Sequence, residues 1–189
     1  MKDLFRGELV RLTSEEPETL AKSEVRWQRD TEFHRLADSG PAEMTSEKRI
    51  KEWLEKRFEE GFKPERYPFS IRTLDQDKLI GFIGLWADFV HAEGGVGIGI
   101  GEREFWGKGY GTDAMRLILQ YAFTELNLQR VFLALHEYNV RALHSYEKAG
   151  FRLEGRTRGD QHREGKRTDT LWMGILREEW LQQQNGVSK

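Results

Sequence analysis

Three glycines alternate with other residues in the sequence FWGKGYGTDA, which occupies residues 105–114. The three are Gly107, Gly109 and Gly111. Apolar residues with helical spacing begin directly after them, at Met115. Glycines between a strand and a helix often serve only to make a tight turn. However, the first N–H groups of a helix lack partners and the positive end of its dipole lies there, so the run indicates a phosphate site. Lys108 would add charge to such a site, and Thr112 a hydroxyl.

The glycine run does not match the two common nucleotide-binding motifs. A P-loop requires G-x-x-x-x-G-K-[ST], which does not occur in the chain. The dinucleotide fingerprint G-x-G-x-x-G would need its last glycine at Thr112 or at Ala114. The run also lies beyond the middle of the chain, whereas that fingerprint normally follows the first strand of its βαβ unit. A nucleotide-binding protein therefore remains only as a third hypothesis.

The predicted strand before the run also alternates glycine with apolar residues, in GGVGIGIG at 94–101. Successive residues of a strand face opposite sides of the sheet, so one face carries Val96, Ile98 and Ile100 and the other carries no side chain. Close packing of a helix on the bare face is one interpretation. The other is a slot in which a slender ligand follows exposed backbone and ends with its phosphates at the helix start.

Composition and charge exclude several classes of protein. The 30 basic and 32 acidic residues nearly cancel, which argues against a general nucleic-acid binder. The absence of cysteine excludes a disulfide scaffold, a thiol nucleophile and a Cys-based zinc site. The five histidines lack metal-ligand spacing, so we expect no metal. No stretch approaches the ~20 apolar residues of a membrane span, and no signal-peptide pattern occurs, so we expect a cytoplasmic protein.

The hydrophobic pattern predicts one domain, residues 1–189, of the α/β or α+β class around a mixed sheet. Strands are predicted at 7–12, 69–74, 78–86, 96–100, 130–135, 151–158 and 167–176. Helices are predicted at 45–61, from Gly111 to Leu126 and at 140–150. Gly61 is expected to end the first of these helices. The charged segment 14–60 has a helical period, with breaks expected near Pro17 and at 38–41.

Two segments together resemble the GNAT superfamily of N-acetyltransferases. The glycine strand, the WGKGYGT turn and the helix resemble its motif A, and HEYNVRALHSYEKAGF at 136–151 resembles its motif B. The spacing of these two motifs makes the combination specific. The resemblance runs from GELVRL to TLWMGIL and is closest to the branch of ribosomal-protein N-terminal and polyamine acetyltransferases. It implies a single domain with a mixed, mostly antiparallel central sheet flanked by helices.

The resemblance also implies that acetyl-CoA is the co-substrate. Backbone amides of the turn would hold its pyrophosphate, namely those of Gly107, Lys108, Gly109, Tyr110, Gly111 and Thr112. Trp106 stands where the family motif usually begins with Gln or Arg, and leaves these amides intact. Ile100 and Gly101 would pair with the pantetheine arm, and Asn139 would contact the arm from the other side. Tyr146 would lie near the thioester sulfur.

The resemblance and the chemistry of the residues suggest a mechanism. A phenol such as Tyr146 could protonate the departing thiolate, and a backbone N–H near Ile100 or Gly101 could stabilise the oxyanion. Alternatively, Asn139 only caps a helix and Tyr146 is an aromatic at the edge of the core. The acceptor amine needs a base, and relatives often carry a Glu where this chain has Gly95. The candidate bases are Glu93, Asp88, His91, His136 and Glu102, of which we favour Glu93.

The acceptor is expected to be a cationic amine. Residues 13–60, which cap the acceptor side in similar proteins, contain 13 acidic and 9 basic residues. This excess suits a polyamine, an aminoglycoside-like drug or a protein N-terminus. A non-catalytic module that binds acyl-CoA is the competing hypothesis. The basic segment 156–167 is either a solvated turn or a site for the 3′-phosphate of CoA or an acidic partner. The family resemblance also suggests a homodimer.

Overall fold

The glycine-rich strand lies at the centre of a seven-stranded sheet in the computed structural model, which describes residues 3–59 and 65–186. The strands are β1 (Val10–Thr13), β2 (Arg66–Thr73), β3 (Leu79–Asp88), β4 (Glu93–Ile100), β5 (Arg130–His136), β6 (Arg152–Arg163) and β7 (Lys166–Leu176). Their order is β1-β2-β3-β4-β5-β7-β6. Only β4 and β5 pair in parallel. The predicted mixed, mostly antiparallel sheet is therefore confirmed.

Six α-helices accompany the sheet within the described residues. They are α1 (Pro17–Gln28), α2 (Thr31–Ala37), α3 (Glu47–Glu59), α4 (Tyr110–Thr124), α5 (Val140–Ala149) and α6 (Arg177–Gly186). The apolar stripe of α4 is buried against one face of the sheet, where it forms the main hydrophobic core. The first three helices cover part of the opposite face, which we call the open face.

Each predicted strand is present, but the N-terminal helices differ from the prediction. Pro17 does not break a helix; it begins α1, because a proline lacks only an N–H that the first turn leaves unpaired anyway. A break that was not expected lies before α2, where the Asp30 carboxylate accepts from the N–H groups of Glu32 and Phe33, each at 3.1 Å. The break expected at 38–41 is confirmed, since these residues lie between α2 and α3. The expected stop at Gly61 lies outside the described residues.

Aromatic rings cover most of the glycines on the open face of β4. A Cβ built on Gly95 would lie 1.8 Å from the ring of Trp86, and one on Gly101 would lie 2.2 Å from the ring of Trp27. A Cβ on Gly97 would meet no atom within 4 Å. The bare face therefore accommodates flat rings rather than the backbone of a helix, and it stays open at Gly97.

Strands β4 and β5 separate after three residue pairs, which join Glu93–Gly95 to Arg130–Phe132. Beyond these pairs the two strands leave an opening in the sheet. The N–H of Gly101 donates to the carbonyl of Ile80 on β3 at 2.8 Å. Backbone groups of successive residues point to alternate sides of an antiparallel strand, so those of Ile98 and Ile100 point into the opening.

Candidate active site

A cavity of about 750 Å³ passes through the opening between β4 and β5. On the α4 and α5 side it is lined by Gly107, Gly109, Gly111, Asn139, Ser145 and Tyr146. On the open face it is lined by Phe33, Leu36, Ala37, His136, Gln161 and Thr170. The cavity thus joins two sides of the sheet, so that two molecules entering from opposite faces could meet in the opening.

The glycine turn forms an open cradle at the start of α4. Gly107 has a φ of 70° and Gly109 a φ of 93°, both in the left-handed region that favours glycine. No side chain caps α4, and its first internal hydrogen bond runs from the N–H of Asp113 to the carbonyl of Gly109 at 2.9 Å. The N–H groups before Asp113 in the helix therefore remain available for an anion. This arrangement fits the pyrophosphate of acetyl-CoA.

The side chains that supply charge near the cradle differ from those expected. Thr112 shares a hydrogen bond of 2.8 Å with Ser145, so its hydroxyl joins α4 to α5. Lys108 is exposed and does not line the cavity. The cationic residues that do line it are Arg116, Arg141 and Lys148. The sequence does not identify these three residues, because α4 and α5 come together only in the folded protein.

Trp106 connects the glycine turn to the end of β4 by a hydrogen bond. Its indole N–H donates to the carbonyl of Ile100 at 2.5 Å, and the guanidinium of Arg141 lies 3.8 Å from its ring centre. The carbonyl of Ile100 is therefore occupied, while its N–H still points into the opening. The expectation for Gly101 needs correction, because its N–H is used by β3 and cannot serve a pantetheine arm or an oxyanion. Ile98 takes its place along the opening.

A buried carboxylate that no sequence motif indicates holds the N-terminal segment beside the cradle. Oδ2 of Asp113 accepts from the N–H groups of Leu9 and Val10, at 2.8 and 3.0 Å. Glu8 and Leu9 thereby become part of the cavity wall. An acidic residue in the first turn of a helix is also favoured by the helix dipole.

Asn139 caps α5 and also holds α2 over the cavity. Its Oδ1 accepts from the N–H of Ala142 at 3.2 Å, and its Nδ2 donates to the carbonyl of Leu36 at 3.0 Å. The neighbouring Tyr138 hydroxyl donates to the carbonyl of Arg35 at 2.7 Å. The last carbonyls of α2 are thus satisfied from the connection after β5. Contact of Asn139 with a pantetheine arm stays a prediction.

Replacing Asn139 by Asp separates these two roles. Asp keeps an oxygen for the N-cap but loses the N–H that holds Leu36, so its Tm falls by less than that of Asn139→Ala. A net hydrogen bond contributes about 0.5–1.5 kcal/mol, so the KM of the acceptor rises by about 2- to 12-fold. Asn139→Ala loses the cap as well and lowers Tm by several degrees. Calorimetry and steady-state kinetics check both, and an equal Tm loss in the two variants would contradict the separation.

Tyr146 lies two helical turns from Asn139 and lines the same cavity. Its ring packs against Phe151, with 6.1 Å between the ring centres. Burial raises the pKa of Tyr146 to about 12. The phenol therefore keeps its proton at neutral pH and can donate it.

Glu93 lies far from the chemistry that we expected of it. Its carboxylate forms an ion pair of 2.7 Å with Arg130, where β4 and β5 are still paired. At ~3.3 Å per residue, that end of β4 is about 23 Å from Ile100. Glu93 does not line the cavity, so the choice of this residue as the base does not hold.

Of the other four candidate bases, three lie outside the cavity and one lines it. Asp88 and His91 lie at the Glu93 end of the sheet, at the connection from β3 to β4. Glu102 accepts from the indole N–H of Trp27 at 2.9 Å and lies outside the cavity lining. His136, at the end of β5, is the only one of the five that lines the cavity.

The basic hairpin belongs to the open face and not to the cradle. Nη2 of Arg163 donates to the carbonyl of Gly40 at 2.8 Å, and Arg35 forms an ion pair with Glu164. These contacts hold the hairpin against the segment that follows α2. The hairpin therefore lies away from the glycine turn, where the phosphates of CoA are expected.

Within residues 3–59 and 65–186, no group of three or more acidic or histidine side chains could hold a metal ion. None of the helices in these ranges is long and apolar enough to span a bilayer.

Comparisons with known proteins agree with this geometry. A family model described as an acetyltransferase (GNAT) domain matches residues 6–152. Over 130 residues the chain is 37% identical to the probable N-acetyltransferase YjcK of Bacillus subtilis, which covers 68% of this chain and 70% of that protein. Over 78 residues it is 35% identical to spermidine N(1)-acetyltransferase of Escherichia coli, which covers 41% of this chain and 42% of that protein.

Solved structures share the fold. A GNAT-family acetyltransferase from Bacillus anthracis superposes with a TM-score of 0.75 at 19% identity, covering 92% of this chain and 98% of the other. Spermidine N-acetyltransferase from Vibrio cholerae, in complex with CoA and spermine, superposes with a TM-score of 0.74 at 23% identity, covering 91% and 96%. At these identities the likeness shows the fold alone. The match of the family model over most of the chain, together with the YjcK relative, shows that the protein belongs to the GNAT family of acetyltransferases.

Proposed function

We propose that the protein transfers the acetyl group of acetyl-CoA directly to the primary amine of a small cationic acceptor. The observation that carries the proposal is the cavity that passes through the sheet, with the amide cradle at one end and the α2 side at the other. Both substrates would be bound together in a ternary complex. A covalent enzyme intermediate is not expected, because the chain contains no cysteine and no serine in a G-x-S-x-G motif.

The cofactor side supports acetyl-CoA by the chemistry of its groups. The open N–H groups of α4 suit a pyrophosphate, and Arg116 and Lys148 add positive charge near it. The backbone groups of Ile98 and Ile100 suit the amides of a pantetheine arm. An N–H on this edge of β4 would also meet the oxyanion of the transition state. Tyr146 would then donate a proton to the leaving thiolate.

The acceptor side supports a cationic amine. A second cavity of about 410 Å³ shares Phe33 and Ala37 with the first. Three carboxylates line it, from Glu24, Asp38 and Glu43, and no lysine or arginine does among the residues that the structure describes. Burial raises the pKa of Glu24, which a bound cation would oppose. The spermidine acetyltransferases among the similar proteins favour a polyamine over a protein N-terminus as the first acceptor to test.

Release of free CoA thiol tests the proposal directly. With acetyl-CoA present, we expect turnover with spermidine or another small cationic amine, and slower turnover with a peptide bearing a free N-terminus. Acetyl-CoA binding without turnover of any amine would favour the non-catalytic module. Binding of ATP or NAD without binding of acetyl-CoA would instead favour the nucleotide-binding hypothesis.

A double substitution tests the cationic side of the site. Replacing Glu24 and Glu43 by Gln removes two charges at nearly constant volume, so the KM of a dicationic amine rises by about tenfold, because each screened pair contributes about 0.2–1 kcal/mol. The KM of acetyl-CoA stays the same, since both residues lie on the other side of the sheet. Equal KM values for the amine in the two proteins would show that it binds elsewhere.

We also propose that residues 1–189 form one domain, that the protein acts in the cytoplasm and that it forms a homodimer. The single domain rests on the hydrophobic pattern of the sequence, the location on its composition, and the homodimer on the family resemblance alone.

A further inference from the structure

A row of positions on the open face carries no large side chain. Gly84 on β3 pairs with Gly97 on β4, and a Cβ built on either would meet no atom within 4 Å. Across the opening, Ala134 on β5 lies two residues beyond the Gly95 to Phe132 pair, and it is exposed. These three positions form the floor of a groove across three strands. Gly97 and Ala134 also line the main cavity, so the groove leads into it.

Aromatic rings form both walls of this groove. On one side, the rings of Trp86 and Phe132 meet edge to face, with 5.8 Å between their centres. On the other side, Phe82 and Phe33 meet edge to face at 6.5 Å. Trp86 is 46% exposed and Phe82 is 40% exposed, so solvent reaches the walls. Such walls favour an alkyl chain.

His136 lies where the groove enters the cavity. It follows Ala134 by two residues on β5, so both side chains are on the open face, with their Cα atoms about 6.6 Å apart. The imidazole lines the cavity, is only 9% exposed and stacks on Tyr138. Its Nδ1 is buried and has no hydrogen-bond partner within the described residues. A buried nitrogen of this kind is costly unless a ligand or water supplies a donor.

Burial lowers the pKa of His136, and the charge of Arg163 lowers it further. The backbone carbonyl of Asp38 and the carboxylates of Asp160 and Asp38 act in the opposite direction but do not reverse the shift. The imidazole is therefore neutral near pH 7 and has a free lone pair.

Building on the proposed function, we propose that a slender, unbranched primary alkylamine with a single charge is also an acceptor, that its alkyl chain lies in the groove and not in the second cavity, and that His136 accepts the proton of its ammonium group. The free amine then attacks the thioester carbon, so that a C–N bond forms. Collapse of the intermediate breaks the C–S bond, and the thiolate takes the proton of Tyr146. The second proton of the nitrogen returns to Tyr146, and His136 releases its proton to solvent. One proton is released in each turnover.

The pH dependence of kcat/KM tests the role of His136. In the wild-type protein, kcat/KM for pentylamine falls as the pH drops through the pKa of His136, because the protonated ring accepts no proton. In His136→Gln this limb disappears, and kcat/KM at pH 7 falls by about 100-fold, in the range expected for a lost general base. Added imidazole restores part of the rate. His91→Gln, at the far end of the sheet, leaves the profile unchanged.

Three further results would distinguish the inference from the proposed function. His136→Gln that binds acetyl-CoA and keeps the wild-type rate and pH profile would overturn the role of His136. A variant that no longer binds acetyl-CoA reports a damaged fold, and His136→Asn then replaces it in the same assay. Wild-type protein that binds acetyl-CoA but acetylates no amine would overturn the proposed function, and this inference with it.

Filling the groove tests the path of the alkyl chain. Gly97→Val places a branched side chain in open space on a strand, where valine is well tolerated. The KM of pentylamine rises by at least tenfold, while that of methylamine, which does not reach the groove, changes little. Gly155→Val adds the same side chain in open space on β6 and serves as the control. Equal KM values for pentylamine in Gly97→Val and the wild-type protein would overturn the groove.

Discussion

Gly107→Asp abolishes the thermal stabilisation of the protein by acetyl-CoA. In the wild-type protein, ligand at ~100 times Kd stabilises the native state by about 2.7 kcal/mol, which raises Tm by about 5–10 °C at this size. A carboxylate at position 107 would face the pyrophosphate across the open turn. Two like charges about 4 Å apart repel by about 4 kcal/mol at an effective dielectric constant of about 20, which weakens binding by about three orders of magnitude. The Tm shift at the same concentration then disappears.

A matched substitution separates charge at the cradle from strain in the backbone. Gly165 has a φ of 74°, close to the 70° of Gly107, and a Cβ on either would meet no atom within 4 Å. Gly165→Asp therefore adds the same charge and strain in the hairpin after β6, and it keeps the Tm shift with acetyl-CoA. Retention of the shift in Gly107→Asp would show that the phosphates do not bind at the glycine turn.

Tyr146→Phe lowers kcat by about 100-fold and changes the Kd of acetyl-CoA by less than threefold. The loss follows from the missing proton donor, since general acid catalysis contributes about 10²–10⁴-fold. The pKa of about 12 keeps Tyr146 protonated across the accessible pH range, so its own titration leaves no limb in the profile below pH ~10. Single-turnover kinetics separate this effect on the chemical step from any change in product release.

Tyr121→Phe is the control for this substitution. Burial also raises the pKa of Tyr121, which packs against Tyr67 and Phe69 away from the cavity lining. The kcat of Tyr121→Phe stays at the wild-type value. An unchanged kcat in Tyr146→Phe would remove the phenol from the chemistry and leave it as a packing residue.

Local patterns were sufficient to predict the strands and the cradle. Alternation and glycine placement depend on neighbours in sequence, so β4 and the start of α4 were identified closely. Helix α6 was missed, because its residues Arg177–Gly186 are mostly polar and lack a clear apolar stripe. The role of Pro17 was predicted wrongly, because a proline can either end the helix before it or begin the helix after it. The sequence around Pro17 does not distinguish the two.

The site could be predicted only where its chemistry resides in the backbone. The choice of Glu93 failed because the pairing of β4 with β5 depends on Arg130, 37 residues away. This pairing keeps the Glu93 end of β4 joined to β5, so the opening lies at the other end. Gly101 was misassigned because the direction of its N–H depends on the register with β3. His136 ranked below Glu93 among the five candidate bases until the fold showed that, of these five, it alone lines the cavity. These properties arise from contacts between distant segments.

Four of the hydrogen bonds that hold α2 and the segment after it accept at main-chain carbonyls. Tyr138, Asn139 and Arg163 donate to the carbonyls of residues 35, 36, 38 and 40, and every peptide unit supplies such an oxygen whatever its side chain. Side chains on this segment can therefore change without releasing it from the body of the enzyme. Substitutions on this segment can therefore alter the acceptor side of the cavity while the amide cradle on the other side of the sheet is unchanged.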